Sequence, residues 1–251
     1  MTLVVAHRGA SAQAPENTIE AFRQAVEVGT DAIELDVHLS ADGQLAVVHD
    51  PTLDRTTDRT TTVADAPMAE IQAADAGWTF AGPDGDFPYR EKGLIVPTLP
   101  EVLEWIPTGI GLAVEIKAPN ATDPVVGALA GSEVRRAGRV TVLSFLESVI
   151  ERVRELAPDL PTGLLLVPGD DFGRGLTWVV EHGHAAVMPY DADLGFDPSE
   201  NIRLATAYGC RVGSYVVDDP GRMQQLAAAG AWGFVTDTPE VARAALGPRL
   251  E

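Results

Sequence analysis

The chain has 251 residues, 45% of them hydrophobic, enough for one large core or two small ones, and a formal charge of −19. Such an acidic chain offers no basic face to nucleic acid or an anionic membrane, so the expected partner is a small molecule. One cysteine excludes an internal disulfide framework, no run is long enough to span a bilayer, and the apolar residues before His7 and Arg8 are too few for a signal-peptide core, so a cytoplasmic enzyme without stable membrane association is expected.

In chain order, apolar runs predict strands at Leu3–His7, Ala32–Leu39, 111–117, 140–145, 162–167, 185–189, 211–217 and Gly233–Thr236. Between them, helical periodicity falls at 18–28, 123–137, Glu147–Leu156, 176–182, 198–208, 221–229 and Pro239–Leu246. Runs buried on both faces and joined by helices imply a parallel sheet, and this number of βα units in this length fits a single-domain (β/α)8 TIM barrel over 1–251. An open doubly wound sheet is less suitable, because no glycine-rich dinucleotide fingerprint follows the first strand. No linker, repeat or evident insertion domain divides the chain, and 81–93 reads as a surface loop. Cys210 lies in an apolar stretch, where a buried inert thiol is expected.

Chemistry-bearing residues gather at the ends of the early strands. His7 closes the first, Glu34 and Asp36 lie late on one face of the second, and Glu115 and Lys117 lie late on one face of the third, with Ile33, Leu35 and Val37 on the opposite face. Active sites of this fold form at that end, and unpaired buried carboxylates are costly unless they hold a cation or meet bases. Asp42-Gly43 predicts a type I′ hairpin after the second strand, with paired numbers summing to 85, which sets His49 opposite Asp36; a bulge would turn it to the other face. Three carboxylates for a divalent cation, two histidines for proton transfer, and an Arg and a Lys for an anion are the parts for metal-assisted phosphodiester cleavage.

Other polar residues have plainer readings. Asn17 can cap the first helix with Glu20 as its box partner, although it also starts that helix beside the site. Asp50 orients loop backbone, His38 is a solvated hairpin residue, His182 and His184 flank Gly183 at a helix end, and Asp191 and Asp193 belong to a polar loop rather than a second metal site.

The ordered pieces His7-Arg8-Gly9, Pro15-Glu16-Asn17-Thr18, Glu34-Leu35-Asp36-Val37, Asp42-Gly43, Val48-His49-Asp50, Pro97-Thr98-Leu99, Glu115-Ile116-Lys117, Ser144-Phe145 and Thr236-Asp237-Thr238-Pro239 resemble the glycerophosphodiester phosphodiesterase family over nearly the whole chain. The resemblance implies a TIM barrel that hydrolyses glycerophosphodiesters to glycerol 3-phosphate and an alcohol. It implies one divalent cation on Glu34, Asp36 and Glu115, with His7 and His49 as acid and base; the oxygen-only donor set admits Mg²⁺, Ca²⁺ or Mn²⁺, and attack by the glycerol 2-hydroxyl would give a cyclic phosphate that water opens. Arg8 and Lys117 would neutralise the phosphate. Where family members often carry Trp-Thr-Val-Asn, this chain has Tyr215-Val216-Val217-Asp218, so a tyrosine would cover the glycerol and its hydroxyl would change the polarity of that wall. The alternatives are lysophospholipase D or sphingomyelinase D-like cleavage of acylated substrates, which calls for an exposed apolar rim, and a non-catalytic phosphodiester-binding barrel.

Overall fold

The computed structural model describes residues 2–248; Met1 and residues 249–251, the ends of the single domain expected over 1–251, lie outside the described residues. Among the described residues nine strands form: β1 (Leu3–His7), β2 (Ala32–Leu39), β3 (Leu45–Val47), β4 (Gly111–Ile116), β5 (Val140–Ser144), β6 (Thr162–Leu165), β7 (Ala186–Met188), β8 (Arg211–Val212) and β9 (Gly233–Thr236). All but β3 pair in parallel in the order β8-β7-β6-β5-β4-β2-β1-β9. Backbone bonds from Trp232 N–H to Val212 O (2.8 Å) and from Val235 N–H to Ser214 O (2.8 Å) bridge the seam and nearly close the (β/α)8 barrel.

The period-two alternation of the strands explains how one barrel supports both a core and a site. Ile33, Leu35, Val37, Val114 and Ile116 point outward and pack with Phe22 and Ala25 of the helix Ile19–Val28. The inward residues Val5, Ala32, Ala113, Leu143, Leu165, Met188 and Val235 fill the barrel's interior. Two positions further along the same inward faces stand His7, Glu34, Glu115 and Asp237, so the apolar floor turns ionisable at the C-terminal rim.

Several boundaries differ from expectation for local reasons. The helix expected over 123–137 is two, Thr122–Ala130 and Glu133–Arg136, because Gly131 ends the first and the Ser132 side chain accepts the Arg135 N–H to start the second. The helix expected at 176–182 begins earlier, as Phe172–Glu181, capped by Asp171. Residues between β2 and β4 form an excursion with its own apolar cluster around Leu53, Val63, Ile71 and Val96, so an insertion is present that the sequence did not betray. It ends in an unpredicted helix, Leu99–Trp105, whose start carries a full capping box between Thr98 and Glu101.

The hairpin forms with a shifted register. Val37 pairs with Val47, His38 with Ala46 and Leu39 with Leu45, because Ala41-Asp42-Gly43 makes a three-residue loop with Gly43 at φ +77° instead of a two-residue type I′ turn. Val48 rather than His49 therefore lies opposite Asp36, bonding its carbonyl at 3.1 Å. β3 stops at Val47, and the bend that follows brings His49 back to the cavity.

Gly9 lets the loop after β1 pass over the helix Ile19–Val28. Its φ is +89°, and a Cβ there would sit 2.6 Å from the Ala21 carbonyl carbon. Gly9→Ala is expected to cost at least about 2 kcal/mol, combining left-handed strain with overpacking, read as a lower urea midpoint with the slope unchanged.

Candidate active site

Strand register assembles the rim. His7 lies beside Glu34 across β1 and β2, and Asp36 lies beside Glu115 across β2 and β4. Glu34, Asp36 and Glu115 are all buried, and each offers an oxygen within 4.8 Å of the others. At an effective dielectric of about 20, two such charges repel by about 3–4 kcal/mol, so three ionised carboxylates here require compensation.

Compensation is partial. Lys117 Nζ stands 2.9 Å from Asp36 Oδ1 and 2.6 Å from Glu115 Oε1, while Arg8 Nε stands 3.1 Å from Asp36 Oδ2. Burial opposes the Asp36 charge, yet Lys117 and Arg8 hold its carboxyl well below the usual range. Burial together with Asp36 pushes Glu115 up to about 7, and burial with both neighbours raises Glu34 strongly. Glu34 has no ion pair within bonding reach among the described residues; the Arg8 backbone N–H donates to its Oε2 at 3.1 Å. Asp36 Oδ1 is met by the Lys117 ammonium at 2.9 Å. Two cations against three carboxylates and a raised pair of glutamates fit a hard divalent cation held by oxygen donors.

Each histidine is oriented by a carboxylate. His7 Nδ1–H donates to Asp237 Oδ1 at 2.6 Å, which also accepts from Ser11 Oγ at 2.8 Å. His49 Nδ1–H donates to Asp50 Oδ1 at 2.6 Å. An ionised carboxylate can only accept, so Nδ1 carries the proton in both rings and Nε2 is left to exchange one. Burial opposes the Asp237 charge, but the bond and charge of His7 keep its carboxyl low; burial lowers the pKa of half-buried His49.

His7, Arg8, Glu34, His49, Glu115, Lys117 and Tyr215 all line one cavity of about 170 Å³, with Phe145 and Leu165 as apolar wall. Asp36 lies directly behind it, tied to Arg8 and Lys117. Every expected site residue is thus gathered at one place. The Tyr215 ring packs edge-on against Phe145, with centroids 5.8 Å apart, and its hydroxyl donates to the Leu166 carbonyl.

Residues with bland readings turn out to support the site. Asn17, at φ +57°, is not the cap; Thr18 takes that role, and Asn17 Nδ2 donates to Asp36 Oδ2 at 2.8 Å. Glu20 bonds Arg23 and Gln24 instead of closing a box. His38 is half-buried rather than solvated, its Nε2 holding the His49 carbonyl at 3.0 Å. Asp237 was visible in its motif without a role, and its pairing with His7 depends on barrel closure between β1 and β9. Asp191 bonds Arg222 and Asp193 accepts the Gly169 N–H, as a polar loop would. Cys210 is buried, its thiol pushed up to about 11 by burial.

The model of the "Glycerophosphoryl diester phosphodiesterase family" matches residues 7–241. The chain belongs to that family. A glycerophosphodiester phosphodiesterase of Caldanaerobacter subterraneus is 36% identical over 95% of both chains, and one of Bacillus subtilis is 31% identical over 95% of this chain and 84% of its own. A solved glycerophosphodiester phosphodiesterase of Agrobacterium tumefaciens superposes with TM-score 0.79 at 30% identity, covering 97% of this chain and 100% of that one. A phosphodiesterase of Oleispira antarctica, solved with the product sn-glycerol-3-phosphate, gives TM-score 0.81 at 26% identity over 98% and 97% of the two chains. The protein is accordingly a phosphoric diester hydrolase, and no helix among the described residues is long and apolar enough to cross a membrane.

The raised glutamates set a pH dependence. In the unfolded chain Glu titrates near 4.3, whereas burial and Asp36 push folded Glu115 up to about 7, so between these values this carboxyl binds more protons in the folded chain and its contribution to stability falls as pH rises. With EDTA, the Tm of the parent is expected to fall relative to that of Glu115→Gln between about pH 5 and pH 8, and a saturating divalent cation is expected to raise the parent's Tm more at pH 8 than at pH 5. An equal shift at both pH values would place cation binding away from these carboxylates.

Proposed function

We propose that the protein hydrolyses soluble glycerophosphodiesters to glycerol 3-phosphate and an alcohol, using a divalent cation and the pair His7 and His49. The observation that carries this reading is two carboxylate-oriented histidines lining one cavity with Glu34, Glu115, Arg8 and Lys117, with Asp36 completing the carboxylate trio behind it. Glu34, Asp36 and Glu115 would hold one Mg²⁺, Ca²⁺ or Mn²⁺, which when bound supplies Lewis-acid polarisation of the phosphoryl group. Arg8 and Lys117 would counter the phosphate charge, and the Tyr215 and Phe145 rings would cover the glycerol carbons.

The chain's own residues then account for two proton transfers in each half-reaction. Burial lowers the pKa of His49, which keeps its Nε2 free of a proton and so available as the first base. It takes the proton of the glycerol 2-hydroxyl as that oxygen bonds to phosphorus. The bond from phosphorus to the headgroup oxygen breaks, and His7 protonates the departing alcohol. Water then attacks the five-membered cyclic phosphate, His7 takes its proton, and His49 returns one to the 2-oxygen as the ring opens.

A second reading is favoured by one observation. Leu146, Val167, Tyr190 and Phe196 are exposed large apolar residues, and they follow β5, β6 and β7 at the catalytic end, as a rim for acylated substrates would. Glycerol 3-phosphate release from glycerophosphocholine and glycerophosphoethanolamine decides between the readings, measured with EDTA and with each cation restored. The expected result is cation-restored turnover that falls roughly 10²–10⁴-fold in His7→Ala and His49→Ala. Cleavage of lysophosphatidylcholine alone would favour the acylated reading. Activity within a few-fold of the parent in either variant would remove that histidine from the mechanism.

A further inference from the structure

Arg55 lies in the excursion after β3, and its side chain is nearly half exposed, yet all its bonds are directed inward. Its Nε donates to Asp50 Oδ2, the oxygen not used by His49. Its two terminal nitrogens grip Glu16 as a fork, Nη1 to Oε2 at 2.6 Å and Nη2 to Oε1 at 2.7 Å. Glu16 Oε1 in turn accepts from Arg8 Nη1 at 2.8 Å, and Arg8 Nε lies 3.1 Å from Asp36. A continuous chain of charged contacts thus runs from His49 through Asp50, Arg55, Glu16 and Arg8 to Asp36.

The two ends of that chain belong to different connections. His49, Asp50 and Arg55 come from the excursion, whereas Arg8 and Glu16 come from the loop between β1 and its helix. Neither loop has regular structure at these residues, and the hairpin register alone would not aim His49 at the cavity. Asp50 is held between His49 and Arg55, so its position fixes the imidazole only while its other oxygen is anchored.

We propose that Arg55 is a positioning residue for the phosphodiesterase reaction, using its planar guanidinium to lock the His49–Asp50 pair against the Glu16–Arg8 pair. The assignment rests on the reading of His49 as a proton-transfer group. A guanidinium is required because three N–H groups in one plane meet two carboxylates; an ammonium can serve one of them well but not reproduce the fork. Arg55 acts on His49 through Asp50, so its main effect falls on turnover; it touches none of the cation's three carboxylates directly and reaches Asp36 only through Glu16 and Arg8.

A double-mutant cycle on glycerophosphocholine turnover tests this, with Arg55→Met, Asp50→Asn and the double variant, each also checked by thermal melt and by Mn²⁺ affinity. The expected result is a fall in kcat of about 10- to 100-fold in each single variant, with KM changed less than kcat and Mn²⁺ affinity within a few-fold. The double variant should be no slower than the worse single one, because both remove the same anchoring of His49. Arg55→Lys should restore only part of the loss; it also carries the cycle if Arg55→Met does not fold. Multiplying losses in the double variant, or turnover within twofold of the parent in both Arg55→Met and Arg55→Lys, would overturn the proposal. His49→Ala separates the two levels: if it remains active the proton-transfer reading itself falls, whereas silent Arg55 variants beside an inactive His49→Ala overturn only the role of Arg55.

Discussion

Three carboxylates within 4.8 Å of one another at the mouth of an apolar barrel are the constraint around which this molecule is organised. Burial weakens their solvation, and Arg8 and Lys117 supply two positive charges against three negative ones. Burial and that deficit push Glu115 and Glu34 toward their protonated forms, while Lys117 and Arg8 hold the carboxyl of Asp36 low. A divalent cation and a phosphodiester monoanion would together bring the trio and its two cations to neutrality. The cluster is therefore poised for the charges of the proposed reaction rather than for those of the free protein.

The barrel is what makes such a cluster tolerable. Parallel register sets Asp36 beside Glu115 and His7 beside Glu34, and the same inward faces are apolar one step below. Strands fix the carboxylates and His7, while loops bring His49 and the carboxylates that orient both histidines. Asp237 reaches His7 only because the last strand closes on the first. Strained backbone is spent at the same place, with Arg8 and Asn17 both at positive φ beside the residues they bond.

The periodic parts of this architecture were legible in the sequence. β1, β2 and β9 fall where the apolar runs put them, and parity alone set Glu34 with Asp36 and Glu115 with Lys117 on one face of each strand. What failed were features set by one loop residue or by distant closure. Gly43 in a left-handed conformation moved the hairpin register by one, and His49 recovered its place through a bend that periodicity does not encode. The roles of Asp237 and Asn17 depend on partners 230 and 19 positions away, and that of Arg55 on joining nearby Asp50 to Glu16, 39 positions away, which spacing along the chain cannot show. The Leu99–Trp105 helix was the avoidable miss, since Thr98 and Glu101 carry the capping-box spacing openly.

The central claim is that the carboxylate trio is incomplete without one divalent cation. Counting bound Mn²⁺ by the loss of its free electron-spin resonance signal, in the parent and in Glu34→Gln, tests this most directly. The account predicts one site per chain, removed or weakened by more than about 10-fold when Glu34 loses its charge. Retention of full stoichiometry and affinity in Glu34→Gln, or no binding by the parent at millimolar Mn²⁺, would contradict it.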